Sequence, residues 1–187
     1  MKIAITGAFS YSGKYIDRRL LGRGDEVITL TGHPHRPDPF AGRVRAYALN
    51  FGDPPGLVQA LRGAEVLVNT YWVRFDYKGN TQTQAVENTR TLIQAAGIAG
   101  VRRVVHISIT NPAQDSPLPY FRGKALNEKI VMERAFPMLS CARRYCLGKK
   151  TFSSTTLLSC SGAFPSSLCL EMGTIVYSLS TLRRHYR

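Results

Sequence analysis

Residues 2–13 read KIAITGAFSYSG and decide the fold of this chain. The β-branched run from Ile3 to Thr6 predicts a strand that ends at Gly7. Gly13 opens a segment, residues 14–21, whose apolar side chains have helical spacing. A strand, a glycine turn and a helix in this order point main-chain N–H groups and the positive end of a helix at a phosphate group.

The two glycines of this turn have separate tasks. Gly7 permits a tight turn, and Gly13 permits the helix to pack closely on the strand. A βα turn that needs glycine for its shape alone is the alternative interpretation. The dinucleotide-binding interpretation is favoured because a second strand follows the helix, as a dinucleotide fold requires.

The same turn resembles the T-G-x-x-G-x-x-G motif of the short-chain dehydrogenase/reductase superfamily, in its extended or atypical branch. The resemblance implies an NAD(P)-binding Rossmann fold in which turn residues hold the cofactor: Thr6, Gly7, Phe9, Ser10, Tyr11, Ser12 and Gly13. Ser10 replaces the middle glycine of the motif, where the family's backbone comes nearest to the pyrophosphate. A Cβ at this position, or a positive φ, is expected to weaken cofactor binding.

The remainder of residues 1–133 alternates strands with helices. Apolar runs predict strands over residues 25–31, 43–49, 64–70 and 101–109. Helices are predicted over residues 54–61, capped by Asp53, and 81–99, with Val86, Leu92, Ile93 and Ala96 on the buried side. Each crossover is long enough to join parallel strands, so the chain is predicted to be an α/β protein with a doubly wound parallel sheet. Residues 86–108 also resemble the fourth helix and fifth strand of extended short-chain dehydrogenases.

The end of the second strand is where the family distinguishes NAD from NADP. An acid at this place binds the ribose 2′-hydroxyl, and a basic residue accommodates a 2′-phosphate. This chain has Arg36 in the segment and no acid before Asp38, which favours NADP over NAD with Arg36 as the clamp. A solvated loop broken by proline is the equal alternative for this segment.

The fourth strand ends at Asn69 and Thr70, on the carboxyl edge of the sheet where ligands bind in open α/β folds. Both residues are therefore predicted to lie at the cofactor. The aromatic side chains that follow, Tyr71 and Trp72, either line a substrate pocket or pack in the core.

Tyr120 and Lys124 lie four residues apart at the start of a predicted helix, so they share one of its faces. An ammonium beside a phenol favours the phenolate, which suits Tyr120 to proton transfer with Lys124 as its electrostatic partner. Ser108 closes the fifth strand and is expected to orient a substrate oxygen. A surface pair on an amphipathic helix is the alternative, because many atypical members of the superfamily lack the catalytic set. His106 is expected to be a core residue rather than a base.

Residues 108–124 resemble atypical members related to the nitrogen-regulator-like proteins and to a complex I accessory subunit. The resemblance implies oxidoreductase or epimerase/dehydratase-like chemistry on a carbonyl or a sugar-nucleotide-like substrate. Two alternatives stay open: a non-catalytic dinucleotide-binding module that senses redox state or assists a complex, and an inactive truncated product.

The formal net charge of +13 would suggest an acidic partner such as nucleic acid. However, residues 134–187 hold 8 basic side chains and 1 acidic one, and the basic residues before them are scattered. The expected partners are therefore a dinucleotide and a small-molecule substrate, without nucleic acid. Cysteine spacing fits no metal site, and Pro165 and Glu171 interrupt the apolar stretch that could otherwise suggest a membrane span. A soluble cytoplasmic protein is expected.

The composition changes from about Arg134 onward. Serine, threonine and all four cysteines are concentrated there, and no helical or strand period persists. A low-complexity linker is one explanation. We favour the loss of a single base near the codon of Arg134. Translation in the shifted reading frame from Phe136 can give approximately FSYAIVRPTVLFG, which resembles the family beyond its fifth helix. Coincidence is the alternative, because the genetic code is degenerate. Residues 134–187 are then expected to be an aberrant tail without a defined fold or a sixth strand, separate from the Rossmann domain of residues 1–133.

Overall fold

The computed structural model describes residues 1–76, 79–133, 138–143 and 156–161. Its elements in chain order are β1 (Lys2–Thr6), α1 (Gly13–Gly22), β2 (Glu26–Thr31), β3 (Val44–Ala48), α2 (Pro54–Leu61), β4 (Val66–Asn69), α3 (Gln82–Ile98), β5 (Arg103–Ile109), α4 (Pro119–Glu133), β6 (Met138–Arg143) and β7 (Thr156–Ser161). Every strand and helix predicted within residues 1–133 is present. The prediction of a doubly wound α/β fold is confirmed.

The strands form one sheet in the order β3-β2-β1-β4-β5-β6-β7. The first six strands of this order are parallel, and β7 pairs antiparallel with β6. The chain proceeds outward from β1 on one side and from β4 on the other. The carboxyl ends of these two strands therefore flank the crevice in which open α/β sheets bind ligands.

Helices cover both faces of the sheet because side chains of each strand alternate between the two faces. Ile5 of β1 packs on the same side as Leu20 of α1. Ala4 faces the opposite side, in a cluster that includes Leu92 of α3 and Ile130 of α4. The four side chains predicted for the buried face of α3 are all buried: Val86, Leu92, Ile93 and Ala96.

Side-chain caps fix the starts of two helices. The Asp53 carboxylate accepts the N–H of Gly56 at 3.0 Å, as its predicted capping role requires. The Thr81 hydroxyl accepts the N–H of Gln84 at 3.0 Å at the start of α3. These bonds satisfy donors that the first helical turn leaves unpaired.

The expectation that the chain lacks a sixth strand is wrong. Strand β6 pairs with β5 from Val104↔Met138 to Ile109↔Arg143, within the tail predicted to have no defined fold. The physical reason is that the edge of β5 offers main-chain N–H and C=O groups that need partners, and any extended segment can pair with them. Residues 138–143 are also the positions where the shifted reading gives YAIVRP. The frameshift and the boundary at residue 134 stay predictions, since most of the tail lies outside the described residues.

Within the part of the chain that the structure describes, every helix is too short or too polar to cross a lipid bilayer.

Candidate functional site

The glycine turn between β1 and α1 has the geometry that its two glycines predict. Gly7 has a φ of +69°, which favours glycine, and its N–H donates to the carbonyl of Leu30 at 2.8 Å. A Cβ built on Gly13 would lie 2.2 Å from the Gly7 carbonyl oxygen and 2.7 Å from Ala8 Cα. Since these neighbours are main-chain atoms, no side chain fits at Gly13, and α1 lies directly on the turn.

Ser10 takes part in the turn by capping the helix. Its hydroxyl accepts the N–H of Gly13 at 3.2 Å, and its own N–H donates to Gly7 at 2.9 Å. Among the described residues, only Ala41 and Asn111 combine a side chain with a positive φ. Ser10 therefore does not have the positive φ that would strain a residue with a Cβ. The Ser10 hydroxyl instead competes with a bound anion, because it already accepts the Gly13 N–H at the positive end of α1.

Two main-chain donors of the turn have no acceptor in the described ranges. These are the N–H groups of Phe9 and Tyr11, and both fall between the two glycines. The Lys14 ammonium lies 5.2 Å from the ring centroid of Tyr11, which is half exposed. The turn therefore offers N–H donors and a nearby cation, which are the groups that recognise phosphate.

Ser10→Gly is expected to raise the affinity for NADPH by about threefold to tenfold, because it frees the Gly13 N–H, a hydrogen-bond donor that contributes about 0.5–1.5 kcal/mol. Loss of the cap should lower the free energy of unfolding by about 1 kcal/mol. Titration followed by cofactor fluorescence measures the affinity. Ser10→Ala is the matched control, since it frees the same N–H but keeps Cβ, and an unchanged affinity in both variants would contradict competition by the hydroxyl.

Thr6 joins the ends of β1 and β4. Its buried hydroxyl accepts the N–H groups of Thr70 at 2.7 Å and Tyr71 at 3.0 Å, and it donates to the Asn69 side chain at 3.3 Å. The side chains of Thr6 and Asn69 therefore hold the two strand ends together behind the crevice. Contact of these side chains with a cofactor stays a prediction, and the geometry favours a supporting role.

His106 is buried next to Asn69, as its predicted core position requires. The Asn69 Oδ1 accepts the N–H of Tyr71 at 3.0 Å, which turns its Nδ2 toward His106 Nδ1 at 3.1 Å. Since Nδ2 can only donate, His106 carries its ring proton on Nε2. Burial, and then the charge of Lys124, lower the pKa of His106 to about 3, so the ring is neutral near pH 7 and binds a proton only weakly.

The structure brings Lys124 to the main chain of β5, at the residue before Ser108. Lys124 is only 4% exposed, and its ammonium donates to the main-chain oxygen of Ile107 at 3.0 Å. Ser108 follows in β5, and its buried hydroxyl has no hydrogen-bond partner among the described residues. Tyr120 is half buried on the first turn of α4, and no hydrogen bond joins its hydroxyl to Lys124 or to any other described residue. The predicted pair is therefore on one helix but is not in direct contact through the phenol oxygen.

Trp72 connects the two halves of this candidate site. Its ring meets the ring of Tyr120 edge to face, with centroids 5.9 Å apart, and the Lys124 ammonium lies 4.9 Å from its centroid. The sequence alone is compatible with Trp72 in a pocket lining or in the core. A signal that could have indicated the contact is Gly123, a glycine inside a helix directly before the candidate lysine.

The loop after β2 surrounds an open cavity of about 500 Å³, lined by Gly32, His33, Pro34, His35 and Arg36. The N–H of His33 donates to the Thr31 hydroxyl at 3.2 Å, and the N–H of Arg36 donates to His33 at 3.1 Å. These bonds fold the loop back on the strand end. Arg36 therefore lies in the loop that directly follows β2, and its contact with the adenine ribose of a cofactor stays a prediction.

Residues 7–136 match the family described as NAD(P)H-binding. The chain belongs to this family. The matched segment begins at the first glycine of the turn, directly after β1, and covers the four helices α1 to α4 and the four strands β2 to β5. The prediction of NADP or NAD as the cofactor is confirmed at the level of the family.

The chain is similar in sequence to two relatives and in fold to one solved structure. An uncharacterised protein of Mycobacterium tuberculosis is 31% identical over 108 residues, which are 58% of this chain and 12% of that protein. The dTDP-6-deoxy-L-talose 4-dehydrogenase (NAD(P)(+)) of Kitasatospora kifunensis is 30% identical over 122 residues, or 63% of this chain and 38% of the relative. The NADPH complex of an NADPH-dependent quinone oxidoreductase from Escherichia coli has a TM-score of 0.62 at 24% identity, covering 73% of this chain and 46% of that one.

The matched part of the chain therefore covers less than half the length of each of these relatives. Its similarity to the solved oxidoreductase concerns the fold. The specific chemistry and the substrate of the chain belong to the proposal that follows.

Proposed function

We propose that the chain binds NADP(H) across the crevice between β1 and β4 and reduces a carbonyl substrate. The observation that carries the proposal is the contact at Gly13, whose missing side chain lets α1 lie against the Gly7 carbonyl. This leaves a cradle of main-chain donors, including the N–H groups of Phe9 and Tyr11, at the positive end of a helix. These residues fit the diphosphate of a dinucleotide.

The adenosine end of the cofactor is assigned to the cavity after β2. Arg36 lines this cavity, and none of its other described lining residues is acidic. A guanidinium offers a phosphate group two parallel donors, whereas it offers a ribose hydroxyl little advantage. The arrangement supports NADP(H) over NAD(H).

The reacting end is assigned to β5 and α4. NADPH, when bound, supplies a hydride to the carbonyl carbon, and the carbonyl oxygen must receive a proton to give the alcohol. Tyr120 is the candidate proton donor, because its phenol lies at the start of α4 and is partly accessible. Ser108 has a hydroxyl with no described partner that can donate to the same oxygen, and Lys124 supplies positive charge beside it.

A second candidate function is a dinucleotide-binding module without catalysis. It is favoured by one observation, namely that the Lys124 ammonium is directed to the Ile107 carbonyl while the Tyr120 hydroxyl has no described hydrogen bond. The two functions share the cofactor site and differ in turnover. NADPH oxidation at 340 nm with 1,4-naphthoquinone and with 4-nitrobenzaldehyde as carbonyl probes, in wild type and Tyr120→Phe, separates them: turnover lost in the variant supports catalysis.

The cofactor preference gives a further expected result. NADPH should bind at least ~10-fold more tightly than NADH, because a charge-assisted contact to a phosphate contributes about 1.5–3 kcal/mol. Arg36→Ala should remove most of this difference by weakening NADPH alone, as measured by cofactor fluorescence. Arg45→Ala is the control, since Arg45 lies on β3 and packs on Tyr47 outside the cavity. Equal binding of both cofactors by wild type would overturn the assignment of Arg36.

A further inference from the structure

Trp72 reaches from the end of β4 to the first turns of α4. Its indole contacts three positions of that helix: the ring of Tyr120, the main chain at Gly123 and the ammonium of Lys124. These are three of the five residues from Tyr120 to Lys124. The position of Trp72 in the sequence, far from α4, gave no indication of this.

Gly123 fixes where the indole lies. A Cβ on Gly123 would come within 2.5 Å of Trp72 Cη2 and 3.2 Å of Cζ2, so the six-membered ring rests on the helix backbone. Any larger residue at this position must displace the ring or the helix. The buried Nε1 of the indole has no hydrogen-bond partner in the described ranges, so its orientation depends on ring packing.

The ring also encloses the Lys124 ammonium. A lysine side chain has a flexible stem and three donors, and it needs neighbours to fix its position. Lys124 is 4% exposed, and its ammonium lies 3.0 Å from the Ile107 carbonyl oxygen and 4.9 Å from the centroid of the Trp72 ring. An ammonium over an aromatic face is held most strongly where water is excluded.

We propose that Trp72 is the positioning residue of the candidate active site. Its ring holds the Lys124 ammonium against the Ile107 carbonyl, beside Ser108, and sets the orientation of the Tyr120 ring. The proposal rests on the proposed function, because the position of Lys124 matters only if NADP(H) and a substrate meet it there. It assigns Trp72 an effect through Lys124 and Tyr120 and no contact with the reacting atoms.

Amine labelling tests the contact directly. Reductive methylation with formaldehyde and a borohydride reagent, followed by mass spectrometry, gives the labelling rate of Lys124 relative to Lys129, whose side chain is 52% exposed on the same helix. Trp72→Leu should raise this ratio about 10-fold, the equivalent of a cation–π contact of about 1.4 kcal/mol. Trp72→Phe keeps an aromatic face and should stay within about threefold of wild type. Equal ratios in the Phe and Leu variants, or a wild-type ratio in the Leu variant, would overturn the proposal.

A spectroscopic measurement covers the case in which a Trp72 variant does not fold. Trp72 is the only tryptophan of the chain, so the intrinsic emission of the wild-type ring reports on its surroundings. Lys124→Met keeps a side chain of similar length without the charge and should change the emission intensity, whereas Lys129→Met should not. Gly123→Ala should shift the emission to the red as the ring is displaced. Unchanged emission in both Lys124→Met and Gly123→Ala would contradict the contact.

The functional consequence has its own readout. Trp72→Leu should weaken NADPH binding about 10-fold and Trp72→Phe should restore it to within about threefold of wild type, if one ammonium contact is misplaced. Changed labelling with the same NADPH affinity in all variants would reduce Trp72 to a packing residue and overturn its positioning role. Absence of NADPH binding in wild type would instead reject the proposed function, and the labelling ratio would still decide the contact.

Discussion

Gly13→Ala is expected to lower the free energy of unfolding by about 3 kcal/mol, at the upper end of the cost of inserting a methyl group into a packed site. The same substitution should abolish detectable NADPH binding. The added Cβ would lie 2.2 Å from the Gly7 oxygen, 2.7 Å from Ala8 Cα and 2.8 Å from the Ala8 oxygen. All three atoms belong to the main chain, so no side chain can turn away to make room. Helix α1 must move off the turn, and its N–H groups then no longer converge on an anion.

Urea unfolding followed by the emission of Trp72, together with an NADPH titration, measures both effects. Gly22→Ala is the matched control, because Gly22 lies in the same helix and a Cβ there meets no atom within 4 Å. Alanine at that position should be neutral or stabilise α1 by up to about 1 kcal/mol. A Gly13→Ala protein with the stability and NADPH affinity of the Gly22→Ala protein would show that the close approach of α1 to the turn is not required.

Asp17→Asn is expected to raise the free energy of unfolding at pH 8 by about 2–4 kcal/mol. A pKa raised by about three units corresponds to about 1.36 kcal/mol for each unit, and the gain is smaller than this sum because the buried amide of Asn also lacks a hydrogen-bond partner. Asp17 lies on the buried face of α1, is fully enclosed, and neither carboxylate oxygen has a hydrogen-bond partner among the described residues. Burial, and then the charge of Asp38, raise the pKa of Asp17 from 3.8 to about 7. The ionised form at pH 8 is therefore a buried charge without compensation.

The pH dependence of stability distinguishes this explanation from a packing effect. Because the folded state binds the Asp17 proton more tightly than the unfolded state, the wild type loses stability as pH rises from about 4 to about 7. Asp17→Asn removes this slope, so the two proteins should be similar near pH 4 and diverge up to pH 7. Chemical denaturation at each pH value gives both curves.

Asp25→Asn provides the contrasting control. Asp25 is also buried, but its carboxylate is paired with the amino terminus of Met1 at 3.1 Å and with Arg23 at 3.2 Å. Removing that charge should lower the free energy of unfolding at pH 8, since a paired carboxylate is replaced by a neutral group. If Asp17→Asn also lowered the stability at pH 8, the assignment of Asp17 as an uncompensated charge would be wrong.

The sheet and its helices follow closely from local sequence patterns. Alternation of β-branched runs with helical spacing located β1 to β5, and Asp53 marked the start of α2. Gly7 and Gly13 were informative because only glycine satisfies their geometry. β6 was missed because a strand at the edge of a sheet is decided by the pairing groups of its neighbour more than by its own periodicity.

The candidate site was less predictable, because its contacts join residues that are distant in the chain. Thr6 was expected at the cofactor, yet its hydroxyl bonds to the end of β4. Lys124 was expected beside the Tyr120 phenol, and its ammonium is directed to Ile107 under the Trp72 ring. No periodicity or spacing encodes these contacts, since they depend on how two crossovers place β4 and α4.

Hydrogen–deuterium exchange with and without NADPH tests the central claim most directly, because it reports on the main-chain N–H groups that are proposed to hold the diphosphate. Bound NADPH should slow exchange in peptides that cover residues 7–16, and also in those that cover residues 32–36 around Arg36. NADH should protect the first segment and have less effect on the second. Protection by NADPH that leaves residues 7–16 unchanged, or that falls only elsewhere in the chain, would contradict the account.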